Sequence, residues 1–127
     1  MKANELRINN ALLYDGEVKI VSSIHSDDTI RFYDKEKGSI GCFKIRNKLI
    51  QPIPLTEEWL LRFCFKKVRY EKYAHEKLDK LKAYPHVIKD GYGFYIQGAY
   101  TLPNIKYVHQ LQNLYFALTG EELKIQL

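Results

Sequence analysis

Apolar and polar positions alternate in short bursts through the first part of the chain, and turn residues separate the bursts. In "ALLYDGEVKIVSSI" two apolar-rich runs flank Asp15-Gly16. Asp-Gly suits a two-residue type I′ hairpin, because both turn positions need positive φ. Past the turn, Val18, Ile20, Ser22 and Ile24 alternate with Lys19, Val21 and Ser23. "DTIRFYD" and "SIGCFKI" predict a second strand pair across "KEKG", and "NKLIQPI" adds a last short strand. Several short, tightly turned strands within about 50 residues predict a small closed or half-open β-barrel module of SH3-like size over residues 1–53. Three strands with one helix laid across them is the competing layout.

The pattern changes at "QPIPL", where alternate prolines stop a sheet ladder and stiffen the connection. Residues 54–127 are expected to form an α+β module, an antiparallel sheet packed by two helices, or to continue the first module as one domain. Thr56 is placed to cap a helix whose first turn carries Glu57 and Glu58, with Leu55 and Leu60 as a hydrophobic staple. Trp59, Leu60, Phe63 and Cys64 share one face of that helix. Leu61 and Phe65 fall outside it, so the helix is expected to be covered on more than one side. "VRYEKY" reads as a strand and "AHEKLDKLKAY" as a short helix. In "HVIKDGYGFYIQ" Asp90-Gly91 joins two further strands, with Gly93 and Gly98 hinting at a bulge or a close backbone approach.

The sharpest periodicity lies near the end of the chain. At about 100° per residue, Tyr107, Val108, Leu111, Leu114, Tyr115 and Leu118 fall in one sector of a helix over residues 105–118. Burial of such side chains stabilises by about 1.5–3 kcal/mol each before entropy is charged, which marks the helix as core. Gly120 stands where a helix C′ residue belongs, and "ELKIQL" alternates as a closing strand. Phe116 lies nearly opposite the stripe, in line with Ile105, His109 and Gln112. Those residues form either a contact with a second element or an interface for a protein partner or a second copy.

Composition adds little to fold class and more to function. The charged and apolar fractions are 28% and 46%, ordinary for a globular chain of 127 residues. No apolar run approaches the ~20 residues that cross a bilayer, and the opening residues carry no secretory signal, so a cytoplasmic protein without membrane contact is expected. Cys42 and Cys64 sit among apolar neighbours and are expected to be separate buried thiols. The chemistry of a catalyst is missing from the sequence. "HEKLD" (His75 to Asp79) has Asp where a metalloprotease helix has its second histidine, and His25, His86 and His109 are scattered. Asp27, Asp28 and Asp34 lack the glycine and glutamate of a calcium loop, and no phosphate loop or serine nucleophile motif is present. A non-enzymatic protein without cofactor or metal is expected, acting by binding.

Charge points to one segment. Residues 66–90 hold eight Lys/Arg against four Asp/Glu, most of the net charge of +5. There Lys66, Lys67, Arg69, Lys72, Lys77, Lys80 and Lys82 interleave with Tyr70, Tyr73 and Tyr84. Cations that hold phosphates beside rings that stack on bases are what a single-stranded nucleic-acid surface requires. The alternative is a solvated charged face whose tyrosines pack inward, diluted by Glu71, Glu76 and Asp79.

Three stretches carry a resemblance. "MKANELRINN" with "DGEVKIVSSI", then "IQPIPLTEEWLLRFCF", and "KYVHQLQNLYFALTGEEL" resemble small uncharacterised proteins of gut Bacteroidetes, often encoded near prophage or mobile-element regions. Those proteins read Ile-Gly-Asn where this chain has Ile8-Asn9-Asn10, and they vary over the basic segment. The resemblance implies a shared framework and a mobile-element setting but no catalytic residues.

Overall fold

The computed structural model describes residues 1–34, 36–69, 72–88, 91–96 and 99–125, and the side chains of all of these except 3, 69 and 99–103. The chain forms two compact units, Met1–Ile53 with Val108–Asn113, and Pro54–Tyr107 with Leu114–Leu127.

The first unit holds β1 (Ala11–Tyr14), β2 (Glu17–Ile24), β3 (Thr29–Asp34), β4 (Gly38–Lys44) and β5 (Ile50–Gln51). Asp15 and Gly16 have φ of 50° and 80°, so the β1–β2 turn takes the doubly positive geometry that Asp-Gly favours. Tyr14 pairs with Glu17 across it. The strands form one antiparallel sheet in the order β4-β3-β2-β1-β5. This corrects the SH3-like barrel. Closure would need β5 to bond β4 as well as β1, yet β5 is 2 residues long and pairs with β1 through Leu13↔Gln51 and Tyr14↔Ile50. Strand β4 ends the sheet on the other side, and a register shift between Ile30 and Phe32 breaks its ladder with β3 where Gly41 takes φ 73°. Leu6, Leu12, Val21, Ile30, Phe32, Ile45 and Ile50 make the core of this unit, with Tyr14 and Phe43 packed against it.

The second unit begins with α1 (Glu57–Arg62). The Thr56 side chain accepts the Trp59 N–H, and Leu55 and Leu60 are both buried, as the capping and staple pattern requires. The helix closes with a Schellman turn. The Phe65 N–H donates to the Leu60 carbonyl and the Cys64 N–H to the Leu61 carbonyl, each at 3.0 Å. Cys64 therefore occupies the left-handed C′ position, with φ 68°. Glycine holds that conformation without a Cβ clash, so Cys64→Gly should raise stability by about 1 kcal/mol. A shift of the urea midpoint at constant m-value measures it. Both cysteines are free and exposed, which corrects the expectation of buried thiols. Cys42 lies on the edge strand β4 and Cys64 at a helix exit, and apolar neighbours in sequence bury neither position.

Beyond α1 come β6 (Lys66–Arg69), β7 (Lys72–Ala74), α2 (Glu76–Asp79), β8 (Ala83–Ile88), β9 (Gly91–Ile96) and β10 (Ala99–Ile105). They form a second antiparallel sheet in the order β10-β9-β8-β7-β6. The helix expected over 74–84 is one turn long, because the chain enters β8 at Ala83. Its cap is His75, whose side chain accepts the Lys77 N–H. Asp90 of the second expected turn and Gly98 lie outside the described residues. Register shifts in this part of the sheet fall on β10, at Tyr100/Leu102 and Leu102/Ile105, not at Gly93.

Helix α3 (Val108–Thr119) gives its first half to the first unit and its second half to the second. Val108, Leu111 and Tyr115 are buried; Tyr107, Leu114 and Leu118 are half-buried. Gly120 ends the helix with φ 74°, its N–H bonded to the Phe116 carbonyl at 2.8 Å. Residues 121–125 of the expected closing strand are irregular, and 126–127 lie outside the described residues.

Candidate nucleic-acid interface

Register decides which residues of the basic segment meet. In an antiparallel pair, directly opposite residues point to the same face of the sheet, and neighbours along a strand point to opposite faces. Lys72 pairs with His86, His86 with Gly93, and Tyr84 with Tyr95. These positions therefore share one face of β7, β8 and β9. The other face carries Tyr73, Pro85, Phe94, Ala83 and Tyr92, all buried, so it supplies core of the second unit. Lys72, Tyr84, His86 and Tyr95 are half-buried.

On that face the rings form a pile. Tyr95 reaches between its cross-strand neighbours, 5.5 Å from Tyr84 and 4.5 Å from His86 between ring centroids, with tilts of 35° and 33°. The Lys72 Nζ stands 3.9 Å from the centre of the Tyr84 ring, a cation–π contact that holds the ammonium above the sheet. Burial holds the His86 imidazole below its usual pKa, and a hydrogen bond to the Gly93 main chain acts in the opposite direction. Lys66 pairs with Ala74, two residues along β7 from Lys72, and so extends the same face to the sheet edge. Lys66 and Lys67 are exposed on β6, the edge strand.

The remaining candidates separate from this group. Tyr73 is 2% exposed and stacks edge-on with Tyr92, 6.2 Å away, on the packed face. Tyr70 lies outside the described residues, as does the side chain of Arg69. Lys77, Lys80 and Lys82 are exposed on and after α2, and Lys77 is paired with Glu121 at 3.8 Å. The basic segment thus resolves into a ring-bearing face and scattered surface lysines. The structure adds Tyr95, which lies beyond the basic segment, and His86, which lies within it but was not counted among its cations and tyrosines.

The partner-interface candidates end up mostly inside. Ile105 belongs to β10 and is buried, while His109 and Gln112 are 2% and 1% exposed. A buried side chain cannot meet a partner. Phe116, at 37% exposure, reaches the surface. The side opposite the apolar stripe is occupied by polar docking. Gln112 Oε1 accepts the Ala11 N–H at 2.9 Å and Gln112 Nε2 donates to the Asn9 carbonyl at 3.2 Å. Asn9 presents that carbonyl from a left-handed turn with φ 78°.

A cleft of about 600 Å³ brings Cys64 and His75 together with Phe63, Tyr115 and Glu121. Its histidine is not placed to activate a thiol. His75 Nδ1 accepts the Lys77 N–H at 3.1 Å, the ring is also hydrogen-bonded to the Phe63 main chain, and it packs against Phe65 and Tyr115. Both ring nitrogens serve the backbone. Among the described residues no group of three or more His, Cys, Asp or Glu could hold a metal ion, and no helix is long and apolar enough to cross a membrane.

Compared with known protein families, curated proteins and solved structures, the chain matches none. The site's own chemistry therefore carries the functional argument.

Proposed function

We propose that this chain is a non-enzymatic, cytoplasmic accessory protein that acts by binding single-stranded nucleic acid on the second sheet. The observation that carries this reading is the contiguous row Lys72, Tyr84, Tyr95 and His86 on one sheet face, backed by a packed core on the other. Bases present a π-face whatever their sequence, so a platform of rings gives stacking, and the lysines at its side and edge take the phosphates. A pile of rings on a sheet face suits bases already out of a duplex. The mobile-element setting suggested by the sequence resemblance is the context in which we place this activity.

Fluorescence anisotropy with a labelled single-stranded oligonucleotide tests the reading. Binding is expected at about 50 mM salt and should weaken steeply by about 200 mM, as counterion release requires. Tyr95→Ala should lower affinity by about tenfold, since stacking contributes ~1–3 kcal/mol per base. Lys72→Gln should flatten the salt dependence, with a slope smaller by about 0.7 for one lost phosphate contact. Absence of binding at low salt, or wild-type binding by Tyr95→Ala, overturns the proposal.

A further inference from the structure

We propose that the first sheet carries a recognition site for a single neutral sugar ring, at the end of its core face beside the β1–β2 turn. The inference is independent of the nucleic-acid reading, whose face belongs to the second unit.

Register builds the site. Tyr14 pairs with Glu17, Leu12 with Lys19, Val21 with Phe32, and Phe32 with Ile40. Glu17, Lys19 and Val21 alternate along β2, so all these side chains share the face that carries the core of this unit. Toward the turn that core gives way to a cleft of about 210 Å³, where Tyr14, Phe32 and Phe43 meet Asp15, Glu17 and Lys19. Phe32 is 1% exposed, while Tyr14 and Phe43 are half-buried. The Tyr14 ring lies 4.5 Å from that of Phe43, and both lie 5.9 Å from Phe32, between centroids. The Phe43 ring takes the space that a Cβ at position 41 would fill, so the glycine there, with φ 73°, admits it.

The polar groups of the cleft select the ligand. Glu17 and Lys19 are paired at 3.3 Å, and Asp15 is exposed at the turn. Lys19 already supplies a cation to Glu17, so an incoming ammonium would compete with it, and an incoming anion would meet two carboxylates. A purely apolar ligand would strip water from these charges and give no bond in return. A neutral polyhydroxylated ring satisfies them together. One hydroxyl donates to the Glu17 carboxylate while its neighbour accepts from the Lys19 ammonium, and both bonds are charge-assisted. The polarised C–H face of the same ring lies on the electron-rich faces of Tyr14 and Phe43. The volume is below the roughly 300–1,000 Å³ of pockets for drug-sized ligands, and one ring is what it holds.

Saturation-transfer NMR on the full chain tests the proposal, with the methyl glycosides of glucose, galactose and mannose and with N-acetylglucosamine as probes. At least one is expected to bind at about 1–10 mM, ordinary affinity for so small a ligand, with the strongest transfer to its ring C–H protons. Cyclohexanol lacks the neighbouring hydroxyls and methylguanidinium the C–H face, and each is expected to bind about tenfold more weakly or worse. Glu17→Gln, at an exposed position, should weaken sugar binding about tenfold, and Tyr14→Leu should abolish it. Tyr33→Ala deletes a more exposed ring on the opposite face of β3 and should bind as wild type. Circular dichroism checks the fold of each variant, and Glu17→Gln decides alone if Tyr14→Leu unfolds. No transfer to any of the four sugars, unchanged binding by Glu17→Gln, loss of binding in a folded Tyr33→Ala, or tighter binding of cyclohexanol or methylguanidinium overturns the inference.

Discussion

Leu111→Ala is expected to cost about 2–5 kcal/mol of unfolding free energy, and Leu114→Ala distinctly less. Both residues belong to the same apolar stripe of α3, and sequence alone gives them equal standing. In the structure Leu111 has 0% of its surface exposed, whereas Leu114 is half-buried. Truncating a fully enclosed side chain removes its transfer free energy and leaves a cavity that the surroundings only partly fill. A half-buried one loses less area, and water reaches the space it vacates. Urea denaturation of the two variants, compared at constant m-value, measures the difference. Equal costs would mean that the stripe is not graded along the helix as described.

Gln112→Leu is expected to destabilise by about 2–3 kcal/mol even though it replaces an amide by an apolar group of similar size. Gln112 is 1% exposed and satisfies two main-chain groups, the Ala11 N–H and the Asn9 carbonyl. Leucine leaves both without partners in the interior, and each pays desolvation with no bond in return. The bonds belong to a polar row on α3. Asn113 Oδ1 accepts from Asn10 Nδ2 at 2.8 Å, and Asn113 Nδ2 donates to the Glu5 carbonyl at 2.9 Å. Asn10 Oδ1 in turn accepts the Arg7 N–H at 2.7 Å. The same denaturation measurement tests it, and a neutral Gln112→Leu would show that these amides do not hold the helix to the start of β1. This row also explains the side of α3 that looked unfinished in the sequence. Gln112 interrupts a hydrophobic pattern there because its amide meets the main chain of Ala11 and Asn9.

Half of the ring-bearing face was legible before any coordinates. Lys72 and Tyr84 stand out by charge and ring content. Tyr95 and His86 were within reach, because strand alternation carried through an Asp90-Gly91 turn already puts them on the face of Tyr84. The observed pairing, Ile88 with Gly91, differs from that turn by two residues, and a shift of two leaves every side chain on its face. What charge counting could not do was discard. Tyr73 sits between Lys72 and Ala74 and reads as part of the patch, yet alternation sends it into the core.

The sequence by itself determined the elements whose causes are local. Asp15-Gly16 dictates a turn with two positive φ values, Thr56 and the two glutamates start α1, and Gly120 stops α3, because capping and turn chemistry act over a few residues. Tertiary structure decided what depends on distant partners. Whether five strands close or stay open rests on β5 reaching β4, a pairing that no turn signal encodes. Which lysine stands over Tyr84, and why a glutamine belongs in the interior, are likewise set by register and by backbone groups about 100 residues away in sequence, where short-range propensity has no influence.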